Sequence, residues 1–271
     1  MVSSSQQETT LNTFLALLNV STIEQARQLP YSALRAANLA QVANSTYGTF
    51  SYGPVVDGDF VPALPGQLLD RGQFDKSLRV MVGHNADEGL IFTSPYNQND
   101  SALRATLETA LPTLRGLPAT GDYISNVLYP PVFDGSQAMN YTSQIGRAAA
   151  LTSELVFTCN TFYLDKAFGN NTYAYFYTIF PAIHGQDIAY TYYTGAGQAS
   201  GSVAVPSIAI AMQEYITHFA ETGNPNEAGV PYFNMYSQNA TVQVLNTTGI
   251  TEAMDPTANQ RCDWWQKALY Q

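Results

Sequence analysis

The sequence predicts an α/β fold with a parallel sheet, and three observations carry that prediction. Leu78-Arg79-Val80-Met81-Val82-Gly83 is an apolar run ending in a loop, the pattern of a strand buried on both faces. Residues 172–180 (Thr-Tyr-Ala-Tyr-Phe-Tyr-Thr-Ile-Phe) are rich in aromatic side chains and form the clearest strand signal in the chain. Between them, residues 101–128 and 137–168 read as helices.

The other elements follow in order. Leu11, Phe14, Leu15 and Leu18 fall at helical spacing within 9–20. Ser21-Thr22-Ile23-Glu24 reads as a capping box opening the next helix. Pro30 suits the first residue of a third helix, reaching about Asn44. Residues 51–80 are turn-rich, with a tight turn at Asp57-Gly58. Residues 207–222 read as a helix ended by Gly223-Asn224-Pro225-Asn226. Two short strands are expected around 232–236 and 241–245, then a last helix bearing Cys262, Trp264 and Trp265. No repeat, low-complexity tract or linker interrupts the chain.

Composition narrows the function classes. The 271 residues are 45% hydrophobic, enough for a sizeable core and too apolar for a disordered chain. The formal charge is −10 with no basic patch, which argues against nucleic acid and anionic membrane surfaces as partners. No apolar run approaches the roughly 18 residues of a transmembrane segment. Seven Asn-x-Ser/Thr acceptors, at Asn19, Asn44, Asn99, Asn140, Asn170, Asn239 and Asn246, suggest a secreted glycoprotein. The first twenty residues hold no signal peptide, so the true N-terminus is expected upstream. Cys159 and Cys262 are either one disulfide, as an oxidising compartment favours, or two buried thiols. With no Cys-x-x-Cys and no His-x-x-x-His, the sequence points to no metal site.

Two motifs bear the chemistry. Val82-Gly83-His84-Asn85-Ala86-Asp87-Glu88-Gly89 ends the first strand, and Ile183-His184-Gly185-Gln186-Asp187-Ile188 follows the second. Both occupy the loop after a strand, where α/β sheets place their sites. A carboxylate early and a histidine late is the tail of the order Ser…Asp/Glu…His. No Gly-x-Ser-x-Gly occurs in the 271 residues. Gly197-Gln198-Ala199-Ser200-Gly201 is the nearest imitation, but its serine is one position late and follows His184. Asp187 lies too close along a tight turn to serve the His184 imidazole and reads as structural. His84 reads as a loop residue, His218 as packing or capping a helix. Tyr190, Tyr192 and Tyr193 line either a pocket or the core.

These motifs, with Val55-Val56-Asp57-Gly58-Asp59-Phe60-Val61-Pro62, Phe219-Ala220-Glu221-Thr222-Gly223-Asn224-Pro225-Asn226 and Arg261-Cys262-Asp263-Trp264-Trp265, resemble the type B carboxylesterases in the family's order. That family includes cholinesterases and fungal lipases, and the Asn- and Tyr-rich style is similar to its secreted fungal members. The resemblance implies the C-terminal half of an α/β-hydrolase fold, residues 1–271 being part of one domain, with the N-terminal half and its nucleophile elbow absent. It implies Glu88 as the triad acid, in preference to Asp87, and His184 as the base. It also implies a Cys159–Cys262 disulfide, no cofactor, and a small-molecule or lipid ester substrate. The cysteine pair often found after the nucleophile has no counterpart in residues 10–40.

In such a triad the histidine takes the serine proton as the bond to the carbonyl forms, while the buried carboxylate fixes its tautomer. A chain that lacks the serine is expected not to hydrolyse esters alone, as a truncated gene model or fragment would not. The competing expectation is a non-catalytic, neuroligin-like binding or adhesion module. Retention of both Glu88 and His184 speaks against it. Oligomeric state follows from none of these features.

Overall fold

The computed structural model describes residues 4–195 and 203–270, so Gly197–Gly201 lies outside the described residues. The chain divides into two units, Met1–Pro65 and Gly66–Gln271.

The first unit holds α1 (Ser4–Leu17), α2 (Ile23–Arg27) and α3 (Tyr31–Ala43). Leu15 and Ala37 are buried, and Gln41 Nε2 donates to Thr10 O at 2.8 Å, tying α3 to α1. The capping box sits one residue later than predicted. Thr22 Oγ1 accepts from Gln25 N at 3.2 Å, and Gln25 Oε1 accepts from Thr22 N at 3.3 Å. Gln25, unlike Glu24, is the residue three after the extended N-cap. Pro30 is itself the N-cap of α3, one position before its expected place. The Asp57-Gly58 turn forms: Asp57 Oδ1 accepts from Asp59 N and Val61 N, and Gly58 has φ +83°.

The second unit contains α4 (Pro65–Asp70), β1 (Met81–Asn85), α5 (Asp100–Ala110), α6 (Pro118–Tyr123), α7 (Gln144–Thr152), α8 (Cys159–Ala167), β2 (Tyr173–Tyr177), α9 (Ile188–Thr191), α10 (Pro206–Thr222), β3 (Thr241–Asn246), β4 (Gly249–Met254) and α11 (Gln260–Gln266). The sheet order is β1-β2-β3-β4. β1, β2 and β3 run parallel, with Gly83 opposite Tyr175, and β4 returns antiparallel from β3.

Several boundaries differ from the sequence reading for physical reasons. β1 starts at Met81, not Leu78, because the ladder to β2 begins where Val80 O accepts from Tyr173 N. His84 is therefore a strand residue, 5% exposed, and not a loop residue. The helical stretch 101–128 breaks at Pro112 and Pro118, which cannot donate within a helix. The stretch 137–168 becomes α-helical only after Ser143, whose hydroxyl caps α7. The strand expected at 232–236 is absent. Asn226 holds Phe233 there, accepting from its N–H at 2.7 Å and donating to its carbonyl at 3.0 Å, so an amide side chain replaces a strand partner. The partner of β3 is instead β4, a half-exposed edge strand reached through a turn ending at Gly249, φ +136°.

Beside the sheet, the helical layer packs Leu103, Leu107, Leu114, Ile124, Leu151, Tyr163 and Trp265 around a Cys159–Cys262 disulfide. Next to it the buried Glu154 accepts two bonds from Arg261, at 2.8 and 2.7 Å, and one from Tyr129 OH at 2.5 Å. The fully buried Arg147 donates to Tyr129 O and Ser125 O as well as to Asp100. These buried charges are paired, as low dielectric requires.

The disulfide closes a loop of 103 residues. Replacing both cysteines by serine is expected to cost about 2–5 kcal/mol, read as a lower denaturant midpoint in chemical unfolding.

Asp165 is fully buried, and one of its oxygens accepts from Thr172 Oγ1 at 2.5 Å. Burial, aided by nearby Asp255, pushes its carboxyl up from 3.8 to about 8. The folded state therefore holds this proton more tightly than the unfolded chain. The associated stability is complete below about pH 4 and is lost as pH rises towards 8. Thermal melts between these limits should show that decline, and Asp165→Asn should flatten it.

Candidate active site

β1 and β2 end side by side, and their ladder continues into the loops beyond. Ala86 N donates to Tyr177 O at 3.0 Å and Asp87 N to Ala182 O at 2.9 Å, with a parallel bridge between Asp87 and Ile183. Glu88 and His184, 96 positions apart, thereby meet: Glu88 Oε2 lies 2.5 Å from His184 Nδ1. The other oxygen, Oε1, accepts from Asn85 N at 2.7 Å. Glu88 is 7% exposed, and these two donors supply what a buried carboxylate needs.

A carboxylate on Nδ1 selects the tautomer with its hydrogen there and a lone pair on Nε2. Nε2 makes no hydrogen bond among the described residues, and the His184 side chain is 42% exposed. The imidazole packs against two aromatic rings. Phe157 lies 4.5 Å from it centroid to centroid, and Phe92 lies edge-on at 5.1 Å. Such an imidazole is arranged to take a proton at Nε2 and return it, the carboxylate stabilising the cation between.

Gly89 shows why a glycine follows the carboxylate. Its N–H donates to Ser153 Oγ at 2.7 Å. A Cβ there would meet Ala149 O at 2.2 Å and Ser153 N at 2.6 Å. The loop can approach α7 closely only without a side chain.

The other expected residues fall elsewhere. Asp187 does not bond the imidazole; it accepts from Asn85 Nδ2 at 3.1 Å and from Tyr175 OH at 2.9 Å. Asp87, its carboxyl raised by burial, contributes only its backbone to the ladder. His84 donates from Nδ1 to Thr161 Oγ1 at 3.1 Å, because that hydroxyl already gives its hydrogen to Thr158 O. Burial holds His84 below the usual imidazole range. His218 Nδ1 reaches Asn224 O at 2.7 Å beyond the end of α10. Tyr190 is fully buried, its hydroxyl accepting from Ala204 N and Val205 N, whereas Tyr192 is exposed. Sequence reasoning gave no role to Asn85, Tyr175, Ser153 or Phe157. Of these only Asn85 lay inside a recognised motif.

The carboxylesterase family model matches residues 5–265. The chain belongs to the carboxylesterase family. Carboxylesterase patB of Penicillium expansum is 40% identical over 261 residues, covering 96% of this chain and 45% of that protein. Carboxylesterase patB of Aspergillus clavatus is 38% identical over 264 residues, with the same coverage, 96% and 45%. The chain thus spans a little under half the length of these curated carboxylesterases. The crystal structure of Aspergillus niger EstA aligns with a TM-score of 0.76 at 19% identity, over 98% of this chain and 55% of that one. That likeness shows a partial α/β-hydrolase fold, as expected from the sequence.

Gly89→Ala is expected to lower stability by about 1–3 kcal/mol, because the clash is with backbone. Gly116→Ala is the control, since a Cβ there meets nothing within 4 Å. Equal melting temperatures for the two variants would contradict the close approach.

Proposed function

We propose that this chain supplies the acid and base of a Ser-Glu-His carboxylic ester hydrolase, with Glu88 as the acid and His184 as the base. The observation behind this reading is the 2.5 Å contact of Glu88 Oε2 with His184 Nδ1, which leaves Nε2 open. Family membership and the patB relatives support ester hydrolysis. The substrate is a small-molecule or lipid ester, whose carbonyl would be attacked by a serine absent from the Gly-x-Ser-x-Gly context in these 271 residues. The chain alone is therefore inactive. The family match runs through both units, which favours reading residues 1–271 as the C-terminal part of one carboxylesterase domain.

Secretion fits the Cys159–Cys262 disulfide and the glycosylation acceptors. Asn19, Asn44, Asn99, Asn140 and Asn239 are exposed, while Asn170 and Asn246 are partly buried. Asn246 in addition donates to Thr178 Oγ1 at 2.9 Å.

The test is turnover of p-nitrophenyl acetate. The 271-residue chain should match its His184→Ala variant, at background. Turnover abolished by His184→Ala would overturn the missing-nucleophile reading. When the same residues are joined to a segment bearing Gly-x-Ser-x-Gly, activity should appear. There, His184→Ala should lower kcat by about 10⁶-fold and Glu88→Gln by about 10⁴-fold.

A further inference from the structure

Behind the Glu88–His184 pair lies a chain of contacts that reaches both loops. It begins where β1 has no side chain. Gly83 faces Tyr175 in the register of β1 and β2, and a Cβ on Gly83 would lie 2.2 Å from the Tyr175 ring. The ring therefore lies across the space Gly83 leaves open. From there its hydroxyl donates to Asp187 Oδ2 at 2.9 Å. Asp187 Oδ1 accepts from Asn85 Nδ2 at 3.1 Å, and the same amide nitrogen donates to Ile183 O at 2.8 Å, one residue before His184. Asn85 is fully buried, and its backbone N–H is the donor to Glu88 Oε1.

We propose that Tyr175, Asp187 and Asn85 form a clamp that sets the separation of the two loops, making Asp187 a positioning residue for His184. The amide of Asn85 grips the histidine loop while its N–H grips the acid. Asp187 fixes the rotamer of that amide, and Tyr175 fixes Asp187. Asn85 and Tyr175 each contribute a group that stays a donor. The Asn85 amide does not titrate, and burial, with Asp187 adding to it, raises the Tyr175 hydroxyl so that it remains a donor. Without the clamp the carboxylate of Glu88 would lose its fixed distance from His184, and small misplacements at such sites are costly.

This inference rests on Glu88 and His184 being the acid and base, and its test separates the two. The experiment uses the 271-residue chain, Tyr175→Phe and Asp187→Asn, followed by proton NMR and amide hydrogen exchange. Tyr175→Phe keeps the ring over Gly83 and removes only the hydroxyl. In both variants the Asn85 backbone N–H, which donates to Glu88, should exchange roughly tenfold faster, the loss expected from one weakened hydrogen bond. The downfield Nδ1 proton of His184 should move or vanish. The amides of Val242 and Val244 in β3 should keep their exchange rates. Unchanged Asn85 exchange in both variants overturns the clamp. So does acceleration of all amides together, which would make these residues merely structural. The acid–base reading fails separately if the parent chain has no downfield His184 proton, or if Glu88→Gln leaves that proton in place. The Asn85 exchange rate still decides the clamp in that case.

Discussion

The site depends on the parallel pairing of β1 with β2. Parallel neighbours deliver their following loops to the same end of a sheet, and here the ladder does not stop where the strands do. It runs on through Ala86 and Asp87 to Ala182 and Ile183. The loops are thereby zipped together before Glu88 and His184 are placed. Glu88 is buried within them, and a buried carboxylate without partners is strongly disfavoured. Its two bonds, to His184 and Asn85, are thus part of what holds the loops folded.

The helical layer supplies the second wall. Between α7 and α8 the chain passes through a wider turn, Ser153–Thr158, of a kind that often occurs at functional sites. Ser153 from this turn accepts the Gly89 N–H, and Phe157 from it lies tilted against the His184 ring. The same turn contains Glu154, which is buried in the core and binds Arg261 of α11. One irregular turn therefore couples the Glu88 and His184 loops to the disulfide-linked Cys262 in α11.

The parallel sheet and its two loops were legible because β1 and β2 have local signatures, an apolar run and an aromatic run, each followed by a motif. Long-range side-chain bonding was not. The failed strand at 232–236 has the right composition, but Asn226 satisfies its backbone from outside the segment. The overlooked β4 has weak composition and exists because β3 offers it an edge. His84 looked like part of a loop because Gly83 seemed to end the strand. In fact Gly83 is inside it, with no side chain because Tyr175 occupies the space. The residues behind Glu88 and His184 escaped notice for the same reason, since their roles arise only once the two strands are in register.

The position of Cys262 gives the chain an order of completion. Its partner Cys159 leads α8, more than a hundred residues earlier, and Arg261 beside it neutralises Glu154. During synthesis the sheet strands emerge first, while α8 waits with an unpaired thiol and the turn before it with an uncompensated buried carboxylate. Only when Arg261 and Cys262 have left the ribosome can both be satisfied in one docking event. A premature stop before Arg261 would remove both partners and leave the helical layer unable to close.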